Sequence, residues 1–311
     1  MGIGVIRRHH KLLFCWLLLA VTAFSGCRTM RSATNADNIT AARSLTLDGM
    51  NAMHYGRPEQ AETLLSMAVE QCPCDQRIRH HLATSMVKQG KVDEAIQQLE
   101  IAVDQTCQDP RLFVELGNLY LGKGDLQQAT ENAKTALNLG RQNPSAWILL
   151  GRCQEARGDF QAALASFHRA AGFDEADPIV QLEIAKVYRS LERPLEALTA
   201  LEVYGEALPS DQLSSEALLL TAATLTELKQ YQSASQCLSQ AAARPDATPE
   251  VWMALSKSFY NAGDSNMALG TAQQALRAFP NDSALADWMV NLERMDPSLK
   301  QTAAREVPRR F

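Results

Sequence analysis

Three groups of residues in this 311-residue chain have types and spacings that could do chemistry. Gly117 to Gly124 reads GNLYLGKG, a G-x-x-x-x-G-K-G string close to the loops whose backbone amides cradle phosphate. Such a loop needs a strand before it, a helix after it, and a Ser or Thr following the Lys to hold magnesium. Gly124 stands where that hydroxyl belongs, and Leu116 and Tyr120 are spaced to share one helix face. Nucleotide binding is therefore not expected. The cysteines form the second group. Besides Cys15 and Cys27, the chain has Cys72, Cys74, Cys107, Cys153 and Cys237. Five thiols leave one unpaired in any disulfide scheme. A Cys74–Cys107 or Cys72–Cys107 staple stays open, provided connecting loops bring the Cα atoms within about 7 Å; reduced thiols in turns are the other reading. Cys153 and Cys237 suit small helix-packing positions. The third group is His80-His81. Adjacent helical side chains point about 100° apart, so this pair grips a metal poorly, and no paired C-x-x-C accompanies it. A solvated or groove-lining pair is expected. No triad, no H-E-x-x-H and no framed carboxylate pair occurs, so neither an enzyme nor a bound metal or cofactor is expected.

The elements that must position these residues are helices. Ala and Leu dominate, Gly and Pro are sparse, and β-branched residues form no strand-like runs. Aligned segments expose a period: LATSMVKQGKVDEA from Leu82, LGNLYLGKGDLQQA from Leu116 and LGRCQEARGDFQAA from Leu150 start 34 residues apart, and LSKSFYNAGDSNMA begins at Leu255. Ala recurs early in every second helix, at Ala61, Ala95, Ala129, Ala163, Ala197, Ala234 and Ala268. A small residue recurs in every first helix, at Gly49, Ala83, Gly117, Gly151, Ala185, Ala222 and Ser256. Helices approach closely only where side chains are small. Asp109-Pro110, Asn143-Pro144, Asp177-Pro178 and Thr248-Pro249 pair a capping side chain with a proline suited to a first turn. Gly56, Gly90, Gly124, Gly158 and Gly263 suit left-handed helix ends.

This pattern resembles the tetratricopeptide repeat (TPR), a pair of antiparallel helices. The resemblance implies an all-α, right-handed solenoid of seven units at 42–75, 76–109, 110–143, 144–177, 178–211, 215–248 and 249–282. Residues 283–295 would form a capping helix, with Trp288, Met289 and Leu292 covering the last unit and Glu293 and Arg294 outward. Residues 296–311 read as a loose tail. Between the fifth and sixth units the array is expected either to bend or soften or simply to show drift of the repeat. There Tyr204-Gly205 breaks the pattern, Glu192 and Lys229 replace turn glycines, and Gln212 to Ser214 is inserted.

In TPR arrays the first helices line a concave groove that takes partners. Carried onto this sequence, the resemblance places Val114, Asn118, Leu121, Ile148, Arg152, Glu155, Leu182, Lys186, Arg189, Met253, Lys257 and Tyr260 in that groove, with Leu219 in the same apolar row. An apolar row beside Arg152, Lys186 and Lys257 would suit an extended or helical peptide with some acidic character. Ordinary solvated helix surface is the competing reading. Val114 replaces the Lys expected of a carboxylate-clamp unit, so chaperone C-termini are not the expected ligand.

The N-terminus is different material. Arg7, Arg8 and Lys11 precede the apolar run Leu12 to Phe24, followed by Ser25-Gly26-Cys27. This layout is that of a secretory signal over 1–26, and F-S-G-C resembles a bacterial lipobox with Cys27 as the lipidated residue. Several acyl chains give stable anchoring. Residues 28–41 read as a flexible tether. Loss of Arg7, Arg8 and Lys11 with the signal takes the formal charge from −5 to −8, an acidic balance that disfavours nucleic acid. The expectation is a non-catalytic, lipid-anchored scaffold that binds proteins or peptides at a bacterial envelope, with the outer membrane facing the periplasm preferred. A periplasmic chaperone-like binder of exported peptides is the first alternative. A thiol or metal protein built on Cys72, Cys74 and Cys107 is the second. Partner identity, pathway and oligomeric state are left open by the sequence.

Overall fold

The computed structural model describes residues 36–106, 109–175, 177–209 and 211–297. The expected signal, Cys27, Cys107 and most of the expected tail lie outside them. Among the described residues there are fifteen helices and no strands. The chain divides into two compact units, one through Arg141 and one from Gln142.

The N-terminal unit holds α1 (36–54), α2 (Pro58–Gln71), α3 (Gln76–Lys88), α4 (Val92–Thr106), α5 (Pro110–Gly122) and α6 (Leu126–Leu139). The C-terminal unit holds α7 (Pro144–Ala156), α8 (Phe160–Ala171), α9 (Pro178–Ser190), α10 (Pro194–Ala207), α11 (Ser215–Glu227), α12 (Tyr231–Ala242), α13 (Pro249–Asn261), α14 (Ser265–Ala278) and α15 (Ser283–Met295). Within each unit, successive helices pack on one another. First helices start at Gln76, Pro110, Pro144, Pro178, Ser215 and Pro249, where the sequence register opens the second to seventh repeats.

The small-residue slots explain the pairing. The seven second-helix alanines, Ala61 to Ala268, are all fully buried. A Cβ added to Gly151 would meet the Phe167 ring at 2.6 Å, and one added to Gly49 would meet Leu65 Cγ at 2.7 Å. These glycines therefore fix the separation of α7 from α8 and of α1 from α2. Ser256 fills the same slot in α13 by donating its hydroxyl to the Ala268 carbonyl, 2.7 Å away.

Each first helix ends in one recurring turn. The Asp125 amide donates back to the Tyr120 carbonyl at 2.9 Å, while Gly124 takes a φ of +81°. The same bond recurs at Arg57, Lys91, Asp159, Arg193, Gln230 and Asp264. This six-to-one closure requires a left-handed residue. In the fifth and sixth repeats Glu192 (φ 57°) and Lys229 (φ 59°) supply it, against the steric preference of residues bearing a Cβ.

Three local expectations are corrected. Residues 36–41 are helical, not tether: Thr40 bonds the Ala36 carbonyl at 2.8 Å, and α1 runs on into the buried Ala42. Asp109, Asn143 and Asp177 accept amide protons at their helix starts, but Thr248 makes no side-chain cap bond. Its hydroxyl serves the Glu250 carboxylate instead, which holds that acid below the ordinary carboxylate range. The fully buried residues of α15 are Leu285 and Leu292; Trp288 and Met289 are half-buried, and so is Glu293, which was expected outward. Trp288 Nε1 donates to Ser256 Oγ at 2.8 Å, so its indole edge faces α13. At the inserted segment the Tyr204 hydroxyl accepts the Ser214 amide at 3.1 Å, and Ser214 in turn caps α11.

Candidate functional site

The stretch Gly117 to Asp125 has no phosphate-loop geometry. Gly117 is buried within α5, Tyr120 is half-buried on the same helix, and Gly124-Asp125 turns the chain into α6. The Tyr120 hydroxyl donates to Glu100; burial first, and then that carboxylate, push its pKa up to about 12. Cys72 and Cys74 are free thiols, half-buried and exposed respectively. Cys107, the candidate disulfide partner, lies outside the described residues. Cys153 is buried and Cys237 half-buried. Among the described residues, no group of three or more His, Cys, Asp or Glu could hold a metal ion, and no helix is long and apolar enough to cross a membrane.

The first helices carry the remaining candidates. In the N-terminal unit Asn118 is exposed and Leu121 half-buried, but Val114 is buried. Val114 therefore serves the core and does not line a groove, a correction to the sequence reading. His80 Nε2 lies 2.6 Å from the Glu115 carboxylate, joining α3 to α5. His80, Thr84, Val87, Glu115 and Asn118 border a cavity of about 400 Å³ floored by Ala83 and the buried Leu99.

In the C-terminal unit Ile148, Leu182, Met253 and Tyr260 are half-buried, and Lys257 is exposed. The bases behave differently from expectation. Arg152 grips Glu183 with Nε and Nη2 at 2.9 and 2.6 Å. Lys186 lies 3.7 Å from Glu183 and 2.7 Å from Glu216, and Arg189 bonds Glu227. Each pair except Lys186–Glu183 crosses from one first helix to the next. Arg152 and Lys186 are thus already paired within the protein, as is Arg189, whereas Lys257, the third base expected to meet an acidic peptide, is exposed. Glu183 is buried, and a buried carboxylate is tolerable only with such partners. Burial works against the charge on Lys186, but the Glu216 bond and the Glu183 charge outweigh it and hold its pKa above the ordinary lysine value. Burial, helped by the Glu183 charge, raises the pKa of Glu155.

A cavity of about 860 Å³ opens beside this ladder, among α9, α11 and α13. Its floor is apolar: Leu219, Leu220, Ala222, Ala223, Leu238 and Ala254. Its rim is charged, with Arg189, Glu216, Glu227, Glu250 and Lys257. Lys257 also sits over the Trp288 ring, 5.3 Å from its centroid. Arg189, Leu219 and Lys257 were legible as groove positions. The carboxylates and Ala223 were missed, although Ala223 follows Leu219 by four residues and Glu216 and Glu250 hold the same position in successive repeats.

An apolar-floored trough across successive first helices belongs to a particular architecture. The fold is that of tetratricopeptide-repeat proteins. The tetratricopeptide repeat profile matches residues 114–178. No curated protein sequence matches the chain. Among solved structures, the chain is similar to PilF of Pseudomonas aeruginosa, with 16% identity, 69% of this chain and 96% of that one covered, and a TM-score of 0.59. It is similar to PilW, described as a widely conserved type IV pilus biogenesis factor: 18% identity, 68% and 96% covered, TM-score 0.61. A tetratricopeptide repeat protein of Parabacteroides merdae shares 14% identity over 81% of this chain and 99% of its own, with a TM-score of 0.59.

Proposed function

We propose that this chain is a non-catalytic scaffold that binds a protein or peptide along its first-helix face, and that it is held at a bacterial envelope by lipid on Cys27. The observation that carries the binding role is the 860 Å³ trough among α9, α11 and α13. Its floor offers apolar area in a continuous row, and its rim offers both charge signs. That combination suits an amphipathic helix or an extended strand with alternating side chains. Because Arg152, Lys186 and Arg189 are already paired, recognition rests on the apolar floor, with the rim charges setting register. The likeness to PilW, a pilus biogenesis factor, supports assembly at the envelope as the setting. The sequence layout before Cys27 supports the anchor.

The test is crosslinking in native membranes followed by affinity capture and mass spectrometry. One stoichiometric partner, lost in Ala223→Arg with unchanged helical circular dichroism, is the expected result. Capture of many unrelated extended peptides would favour the chaperone-like reading. Capture unaffected by Ala223→Arg would remove the trough from the binding surface.

A further inference from the structure

We propose that His80 and His81 form a one-proton pair that sets, with pH, how firmly α3 is clasped to α5, and so what charge the first-helix face of the N-terminal unit offers a partner. The effect on a partner rests on the peptide-binding reading above; the clasp itself does not. His80 and His81 stand side by side, their ring centroids 5.3 Å apart. Both line a cavity of about 290 Å³ together with Arg77, Asp109, Arg111 and Glu115. His80 reaches Glu115 at 2.6 Å, which makes it a bridge between two repeats and not a solvated side chain.

The other charges around the pair come from Arg77, Asp109, Arg111 and Glu115, with Asp75 near His81. On α5, Arg111 donates Nε and Nη2 to the two Asp109 oxygens at 3.1 and 3.0 Å. At the start of α3, Asp75 accepts the Arg77 amide at 2.9 Å. The two histidines are therefore the groups in the cavity that change charge near neutral pH. The Glu115 bond favours a charged His80. Burial disfavours charge on His81, and a charged His80 beside it adds repulsion. The two pKa values are driven apart around the ordinary histidine value of 6.5, upward for His80 and downward for His81. Near that value the pair holds one proton, on His80.

The signs follow from linkage. The His80–Glu115 stabilisation is complete below 6.5 and is lost as pH rises through the raised His80 pKa, leaving Glu115 as an unbalanced negative charge. The contribution of a neutral His81 is complete above 6.5 and is lost as pH falls through its lowered pKa, adding a positive charge next to His80. The clasp is thus firmest between the two transitions.

A histidine-labelled NMR titration of the full chain, from about pH 5 to about pH 9, tests this directly. His80→Gln and His81→Gln assign the signals. The expected result is a His80 midpoint above that of His81. Glu115→Gln should lower the His80 midpoint, and His80→Gln should raise the His81 midpoint. Amide exchange in α3 and α5, corrected for intrinsic rates, should quicken as pH passes through the His80 midpoint, but not in His80→Gln. Two coincident midpoints, or midpoints that no variant moves, would overturn the proposal. Should Glu115→Gln lose helical signal, the His80→Gln arm still decides. None of these readouts needs a partner, so a failed titration and a failed capture experiment remain distinguishable.

Discussion

A Cβ at Gly151 would stand 2.6 Å from the fully buried Phe167 ring. One at Gly205, in α10, would meet nothing within 4 Å. Gly151→Ala should therefore destabilise by about 1–3 kcal/mol through forced separation of α7 and α8. Gly205→Ala should stabilise by about 1 kcal/mol through helix propensity. Urea midpoints of the two variants, moving in opposite directions, check both. Arg152 poses a charge problem of the same locality. Arg152→Met leaves the buried Glu183 with only Lys186 at 3.7 Å, and should cost about 2–3 kcal/mol. Most of that loss should be recovered in Arg152→Met combined with Glu183→Gln; a double variant no more stable than the single one would show that the pair does not act through buried charge. The glycine was legible because a repeated small residue advertises close approach. The buried Glu183 was not, because glutamate on a helix reads as solvent-facing until its neighbours are known.

The repeated unit is a helix pair closed by a six-to-one turn, and the turn demands one left-handed residue. Five repeats give glycine to that position, while Glu192 and Lys229 hold φ of 57° and 59°. Glu192→Gly and Lys229→Gly should each stabilise by about 0.5–1 kcal/mol, the relief of left-handed strain exceeding glycine's added chain entropy. Thermal denaturation should show a higher midpoint for each; a lower one would mean that the side chains make compensating contacts. The sequence marked these two turns as departures from the pattern. It did not reveal the bond between Tyr204 and Ser214 at the insert, which joins residues whose proximity depends on how α10 meets α11. The failed Thr248 cap has a similar origin: whether its hydroxyl accepts a helix amide or donates to Glu250 depends on the side-chain orientation that geometry sets.

For the molecule as a whole, the proposed anchor and the proposed binding face can be tested separately. Detergent-phase partitioning of membranes should place the intact protein in the detergent phase and Cys27→Ala in the aqueous phase; an unchanged partition would discard lipidation at Cys27. Helix number, order and pairing follow from the sequence alone, because a 34-residue period, small residues at close contacts and turn glycines are read over neighbouring residues. The charge a partner meets does not. Arg152 and Glu183 are 31 residues apart, and Arg189 and Glu227 are 38 apart. Whether such bases await a ligand or neutralise an acid of the next repeat depends on the rotation and spacing of packed helices. Local patterning constrains those quantities, but tertiary packing sets them.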